Sequence, residues 1–79
     1  MKARVIVTLK PGVLDPQGKA IEGALKSLGV AGIGSVRQGK AFDIEIDAEN
    51  RETATRKLSE ACEKLLANAI IEDYVVQYE

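Results

Sequence analysis

Leu9-Lys10-Pro11-Gly12-Val13-Leu14-Asp15-Pro16-Gln17-Gly18 is where the chain changes period, and its reading decides the fold. Before it, Ala3, Val5, Val7 and Leu9 alternate with Arg4, Ile6 and Thr8, which is the pattern of a half-buried strand rich in β-branched residues. Pro11-Gly12 stops that strand. Asp15 then reads as a helix N-cap and Pro16 as the first helical residue. The helix is predicted to run to about Leu28, with Ile21, Ala24, Leu25 and Leu28 on one apolar stripe and Gly29 as its stop. Gly18 and Gly23 each weaken it by about 1 kcal/mol relative to alanine, so packing must hold it.

Downstream, the link Gly29-Val30-Ala31-Gly32 leads into Ile33–Arg37 and Lys40–Asp47, which read as a hairpin around Gln38-Gly39. That register sets Ile33 opposite Ile44 and Ser35 opposite Phe42, and places Ile33, Phe42, Ile44 and Ile46 on one face. Asn50 caps a second helix that reaches Leu66 or Ala67, with Ala54, Leu58, Ala61, Cys62, Leu65 and Leu66 as its apolar stripe. A last strand runs from Ile71 to Tyr78. The order βαββαβ predicts a single α+β domain over residues 1–79. Its fold is ferredoxin-like, a four-stranded antiparallel sheet with two helices on one face. Ile6, Val36 and Val75 are left on the other face. They read either as a subunit contact or as the scattered exposed apolar residues of any protein surface.

Composition narrows the function. The 79 residues are 46% hydrophobic and 29% charged, ordinary for a globular domain, with one cysteine and no histidine. A chain this short buries only about 60% of its unfolded surface or a little more, so association is a natural source of extra stability. No apolar run approaches the length of a membrane span, no signal segment follows Lys2 and Arg4, and the free cysteine fits a reducing cytoplasm. Net charge is −1, which argues against nucleic acid as the main partner. Residues 1–40 nevertheless hold seven Lys/Arg against two Asp/Glu, and residues 41–79 hold four against ten, two faces that can be solvated or can meet across a contact.

No catalytic set is evident. Without histidine the usual base for a serine or cysteine nucleophile is missing, and Cys62 lies on an apolar helix stripe as a packed small residue. Asp43, Glu45 and Asp47 alternate along one strand, a solvated face more readily than a metal site, and no metal-ligating or cofactor-binding set is expected. Gly29, Gly32 and Gly34 have the wrong spacing and follow a helix, so they are no dinucleotide loop. What turn and cap chemistry does not demand is the combination of Lys10, Gln17 and Gly18 around a helix N-terminus.

The stretch LKPGVLDPQGKAI, residues 9–21, resembles the opening motif of the PurS family. The resemblance continues in Ala24–Gly29, in Val36-Arg37-Gln38-Gly39-Lys40, in Cys62–Asn68 and in Ile71–Tyr74, covering essentially the whole chain. One departure is Ala69, where relatives often carry proline; it affects only the turn into the last strand. The resemblance implies a small, non-catalytic subunit of formylglycinamide ribonucleotide amidotransferase in purine biosynthesis. In that family a synthetase subunit, PurL, binds ATP and formylglycinamide ribonucleotide, and a glutaminase subunit, PurQ, releases ammonia. Cofactors, ATP and Mg, are then used by the large subunit and not bound by this chain. The implied partners are PurL, PurQ and further copies of the chain, as a dimer or tetramer, in the cytoplasm, with no nucleic acid and no membrane. Two docking features are expected: the loop around Lys10, Asp15 and Gln17, and the hairpin end at Arg37, Gly39 and Lys40. Two other classes share the architecture, a small-molecule regulatory domain of the ACT type and an RNA-binding domain displaying stacking aromatics on its open sheet face.

Overall fold

Alternation in Lys2–Leu9 makes the strand β1, and it becomes the middle strand of the sheet (a computed structural model describes all residues, Met1–Glu79). β2 (Gly39–Glu45) and β3 (Glu72–Tyr78) flank it, both antiparallel, in the order β2-β1-β3. The register pairs Val5 with Phe42 on one side and with Val76 on the other, and Val7 with Tyr74. Period-two alternation then places Ala3, Val5, Val7, Phe42, Ile44, Tyr74, Val76 and Tyr78 on one face.

Two helices complete the set: α1 (Pro16–Ser27) and α2 (Arg51–Ala61). Both start where the caps predict. Asp15 accepts the Gly18 N–H at 2.9 Å, and Asn50 accepts the Thr53 N–H at 2.9 Å. A single π-helical turn, Cys62–Leu66, extends α2, and the Ala67 N–H closes it onto the Cys62 carbonyl. Only α2 covers the sheet. It lays Leu58 and Cys62 on Ala3, Val5 and Val7, each of the five at most 4% exposed, and burying a Val or Leu is worth about 1.5–3 kcal/mol.

Four expectations need correction. The sheet has three strands, because Ile33–Arg37 forms none. Nor is there a hairpin at Gln38-Gly39; Gly39 opens β2 and pairs with Thr8 of β1. Two amides of the expected hairpin, one from its strand and one from its turn, are claimed by side chains instead: Val36 N–H donates to Glu22 and Gln38 N–H to Asp15. Second, Val36 therefore is not on the outer sheet face, where Ile6 sits between Ala41 and Val75.

Third, the two helices do not share one face. None of α1's apolar stripe belongs to the core, and Gly18 is its one buried residue. Ile21 is 39% and Leu28 76% exposed. The chain is accordingly elongated, with a radius of gyration of 15.9 Å, where a compact domain of this length has about 12 Å. Fourth, Leu65 is exposed while Leu66 packs on the core, because the wider π turn shifts the helical register by one residue.

Candidate functional site

Six residues carry the sequence-based docking expectation, and the fold gathers them at one junction between the sheet and α1. Strand β1 delivers Lys10 at its end, where the Lys10 N–H donates to the Ile71 carbonyl at 2.8 Å. The helix cap delivers Asp15 and Gln17. The start of β2 delivers Arg37, Gly39 and Lys40 to the same place. Asp15, Gln17, Gln38, Gly39, Lys40 and Glu72 line a shallow cleft of about 350 Å³ over Val7 and Leu9. What looked like a loop and a separate hairpin tip is thus one surface.

Asp15 is its hub. The residue is 5% exposed, one carboxylate oxygen accepting from Gly18 and the other from the Gln38 N–H at 2.7 Å. The Gln38 amide first, and then the Gly18 amide, hold this carboxyl below the usual carboxylate range. Arg37 binds the chain on the other side of the cap, its two terminal nitrogens donating to the carbonyls of Val13 at 2.9 Å and Lys10 at 3.2 Å. Gly18 has a structural reason after all: a Cβ there would run into the Val36 carbonyl oxygen. Gly39 has one too, since a Cβ would stand 2.6 Å from the Val7 carbonyl oxygen. Lys10 pairs with Asp73 at 2.6 Å, and Lys40 lies 3.7 Å from Glu72. Of the six, only Gln17 and Lys40 present side chains to solvent without a short polar contact inside the chain, while Lys10 and Arg37 are taken up in holding the junction.

Sequence reading missed Glu22, Gln38, Glu72 and Asp73 as members of this junction. Glu72 and Asp73 do fall in the block Ile71–Tyr74 that carried part of the family resemblance, but their sign, opposite to Lys10 and Lys40, was the only other signal. Gln38 likewise falls in the Val36–Lys40 block of that resemblance, while Glu22 gave no signal, because its role exists only once residue 36 comes beside residue 22.

Elsewhere the chemistry is quiet. Burial first, and then the nearby Glu63 charge, push the Cys62 thiol up, so it stays protonated and unreactive. Asp43 is engaged by Arg4 at 2.8 Å, a pair that lowers the carboxyl and raises the guanidinium, and no group of three potential ligands surrounds a metal position. Tyr74 and Tyr78 pack against the core face under α2, not on the open face where stacking on bases would need them. No helix is long and apolar enough to cross a membrane.

Comparison with known proteins places this geometry among relatives. The family described as "PurS: Phosphoribosylformylglycinamidine (FGAM) synthase" matches residues 2–79. The phosphoribosylformylglycinamidine synthase subunit PurS of Mycobacterium leprae is 47% identical over 99% of this chain and 95% of its own length. The crystal structure of Methanocaldococcus jannaschii PurS, 44% identical, superposes with a TM-score of 0.90 over 99% of this chain and 94% of that one. A chain in the structure of PurLQS from Thermotoga maritima, 36% identical, does so with a TM-score of 0.89 over 96% and 93%.

Proposed function

This chain belongs to the PurS family of phosphoribosylformylglycinamidine synthase subunits, and on that premise we propose that it joins a PurQ glutaminase to a PurL synthetase. It is a subunit of a purine-biosynthesis enzyme whose catalysis belongs to the complex. The observation that carries the bridging role is the likeness, over nearly the whole chain, to a component of PurLQS. The residues agree with it: the sheet and α2 form a core, while Ile21, Leu28, Val30 and Ile33 are left exposed along α1 and just beyond it.

Ammonia released from glutamine must reach the activated amide before it escapes into water or is protonated. Fixing two active sites in register and enclosed from solvent supplies positioning without any acid, base or nucleophile. ATP and Mg are used by the large subunit in this reading, and the complex works in the cytoplasm. The cleft at Gln17 and Lys40 is the proposed docking surface for a larger subunit. The exposed apolar residues Ile21, Leu28, Val30 and Ile33, with half-buried Leu25, are the surface for a second copy, since apolar residues at the heart of an interface suit a permanent contact between like chains.

The test is reconstitution with PurL and PurQ from one organism. Glutamine-dependent synthesis of formylglycinamidine ribonucleotide should require this chain, while ammonia-dependent synthesis should proceed without it. If both reactions are indifferent to the chain, the bridging reading fails.

A further inference from the structure

Helix α1 is the least supported element of the fold. It buries only Gly18, contributes nothing to the core, and leaves Ile21 and Leu28 of its apolar stripe exposed, so the core does not fix the direction in which it leaves the sheet. Side-chain hydrogen bonds join its base to the segment that enters β2. Asp15 ties the first turn of α1 to Gln38, just before β2. Glu22, one turn further along, takes the Val36 N–H at 3.2 Å. Arg37 reaches back to the carbonyls of Lys10 and Val13, beyond the end of β1. Gly18 lets the Val36 carbonyl lie against the helix. The turn after β1, the helix cap and the chain entering β2 are therefore clasped by two side chains of opposite charge: Asp15 joins the first turn of α1 to Gln38, and Arg37 joins the chain before β2 to the Lys10–Val13 turn.

We propose that Asp15 and Arg37 are positioning residues: they set the angle of the α1 arm against the sheet, and assembly of the glutamine-dependent enzyme requires that angle. The physical reason is leverage. A helix of 12 residues is about 18 Å long. A small rotation at its base therefore moves Leu28 by several ångströms, and displacements of about 1 Å can already cost a hundredfold in positioned chemistry. Both groups act through backbone they hold, and neither is asked to touch a substrate. A full carboxylate is needed at residue 15 because two N–H donors point at it, one per oxygen; an amide would turn its own NH2 towards one of them. The guanidinium fork is needed at residue 37 because two carbonyls from different residues must be held at once.

The second half of the proposal rests on the subunit reading, whereas the first half concerns this chain alone, and the experiment separates them. Nitroxide labels on Ser27→Cys and Lys2→Cys report the arm against the sheet; the native Cys62 is buried and stays unlabelled. Labelled chains are diluted into unlabelled ones so that one pair is read per particle. The expected result is a narrow distance distribution that broadens and shifts in Asp15→Ala and Arg37→Gln, with Arg37→Lys in between, while near-ultraviolet circular dichroism of the tyrosines on the core face stays native. In the reconstituted complex, glutamine-dependent synthesis should fall by about tenfold or more with the ammonia-dependent rate unchanged. Should Asp15→Ala fail to fold, Asp15→Asn and the exposed Arg37→Gln decide the matter. An unaltered distance distribution in the folded variants overturns the clasp. A broadened distribution with full glutamine-dependent activity overturns its role in assembly. If the wild-type chain itself does not support glutamine-dependent synthesis, the subunit reading falls and the distance result still judges the clasp.

Discussion

The sheet with α2 and the α1 arm with its junction are built on different physics. In the first, β1 is covered on both edges and one face, and Val5, Val7 and Cys62 reach zero exposure. In the second, a helix of similar length is tied down through Asp15 and Glu22, with Arg37 holding the turn before its cap, and Ile21 and Leu28 of its apolar stripe are exposed. Apolar burial is non-directional and scales with area, so the first half is stable in itself. Hydrogen bonds carry direction but little net free energy, about 1 kcal/mol each, so the second half is oriented more than it is stabilised. A half that is oriented yet unfinished is what a subunit offers to an assembly.

The comparison breaks most visibly at paired leucines. Leu58→Ala, at 2% exposure, should cost about 2–5 kcal/mol in urea denaturation, much of the stability of so small a domain. Leu28→Ala, at 76% exposure, should stay within about 0.5 kcal/mol when measured dilute enough for the chain to be monomeric. Equal effects would mean that α1 packs on its own sheet. The glycines sharpen the contrast at the next level. Gly39→Ala forces a methyl against β1 and should lower the unfolding midpoint by an amount equivalent to about 1–3 kcal/mol. Gly18→Ala meets the Val36 carbonyl and should instead disturb the arm, read as changed oligomer mass in solution with the core's unfolding midpoint little moved.

Acid separates the halves more gently. Asp15 is held below its ordinary value, so its contribution is complete above about pH 3.9, the unfolded value, and is lost as pH falls through the lower folded value. Scattering measurements on falling pH should show the arm loosening in that acid window, and Asp15→Asn should lack the transition. Last and smallest, Arg4→Ala removes an exposed pair with Asp43 on the outer face and should leave the thermal midpoint unchanged within error.

Much of the fold was legible because the signals are local. Asp15-Pro16 and Asn50 announced both helix starts, and alternation announced three strands with their faces. The site was legible only in part. Its residues were named from their match to a family pattern, yet Lys10 and Arg37 turn out to be spent on internal contacts, and Gly18 on close approach. Nothing in the sequence says that Glu22 meets the Val36 amide or that Asp15 meets the Gln38 amide.

By itself the sequence determined both helices and their caps, three of the strands, where the stops fall, and to which family the chain is akin. Those properties depend on neighbours within a few residues, where propensity and spacing act directly. Tertiary structure alone decided that Ile33–Arg37 makes no strand, that α1 stands off the sheet, that Leu65 stays in solvent while Leu66 packs on the core, and that two separate motifs form one junction. Each of these outcomes is a competition for the same backbone N–H or the same apolar surface between groups distant in the chain. The Val36 and Gln38 amides went to Glu22 on α1 and to Asp15 at its cap because those carboxylates were brought beside them.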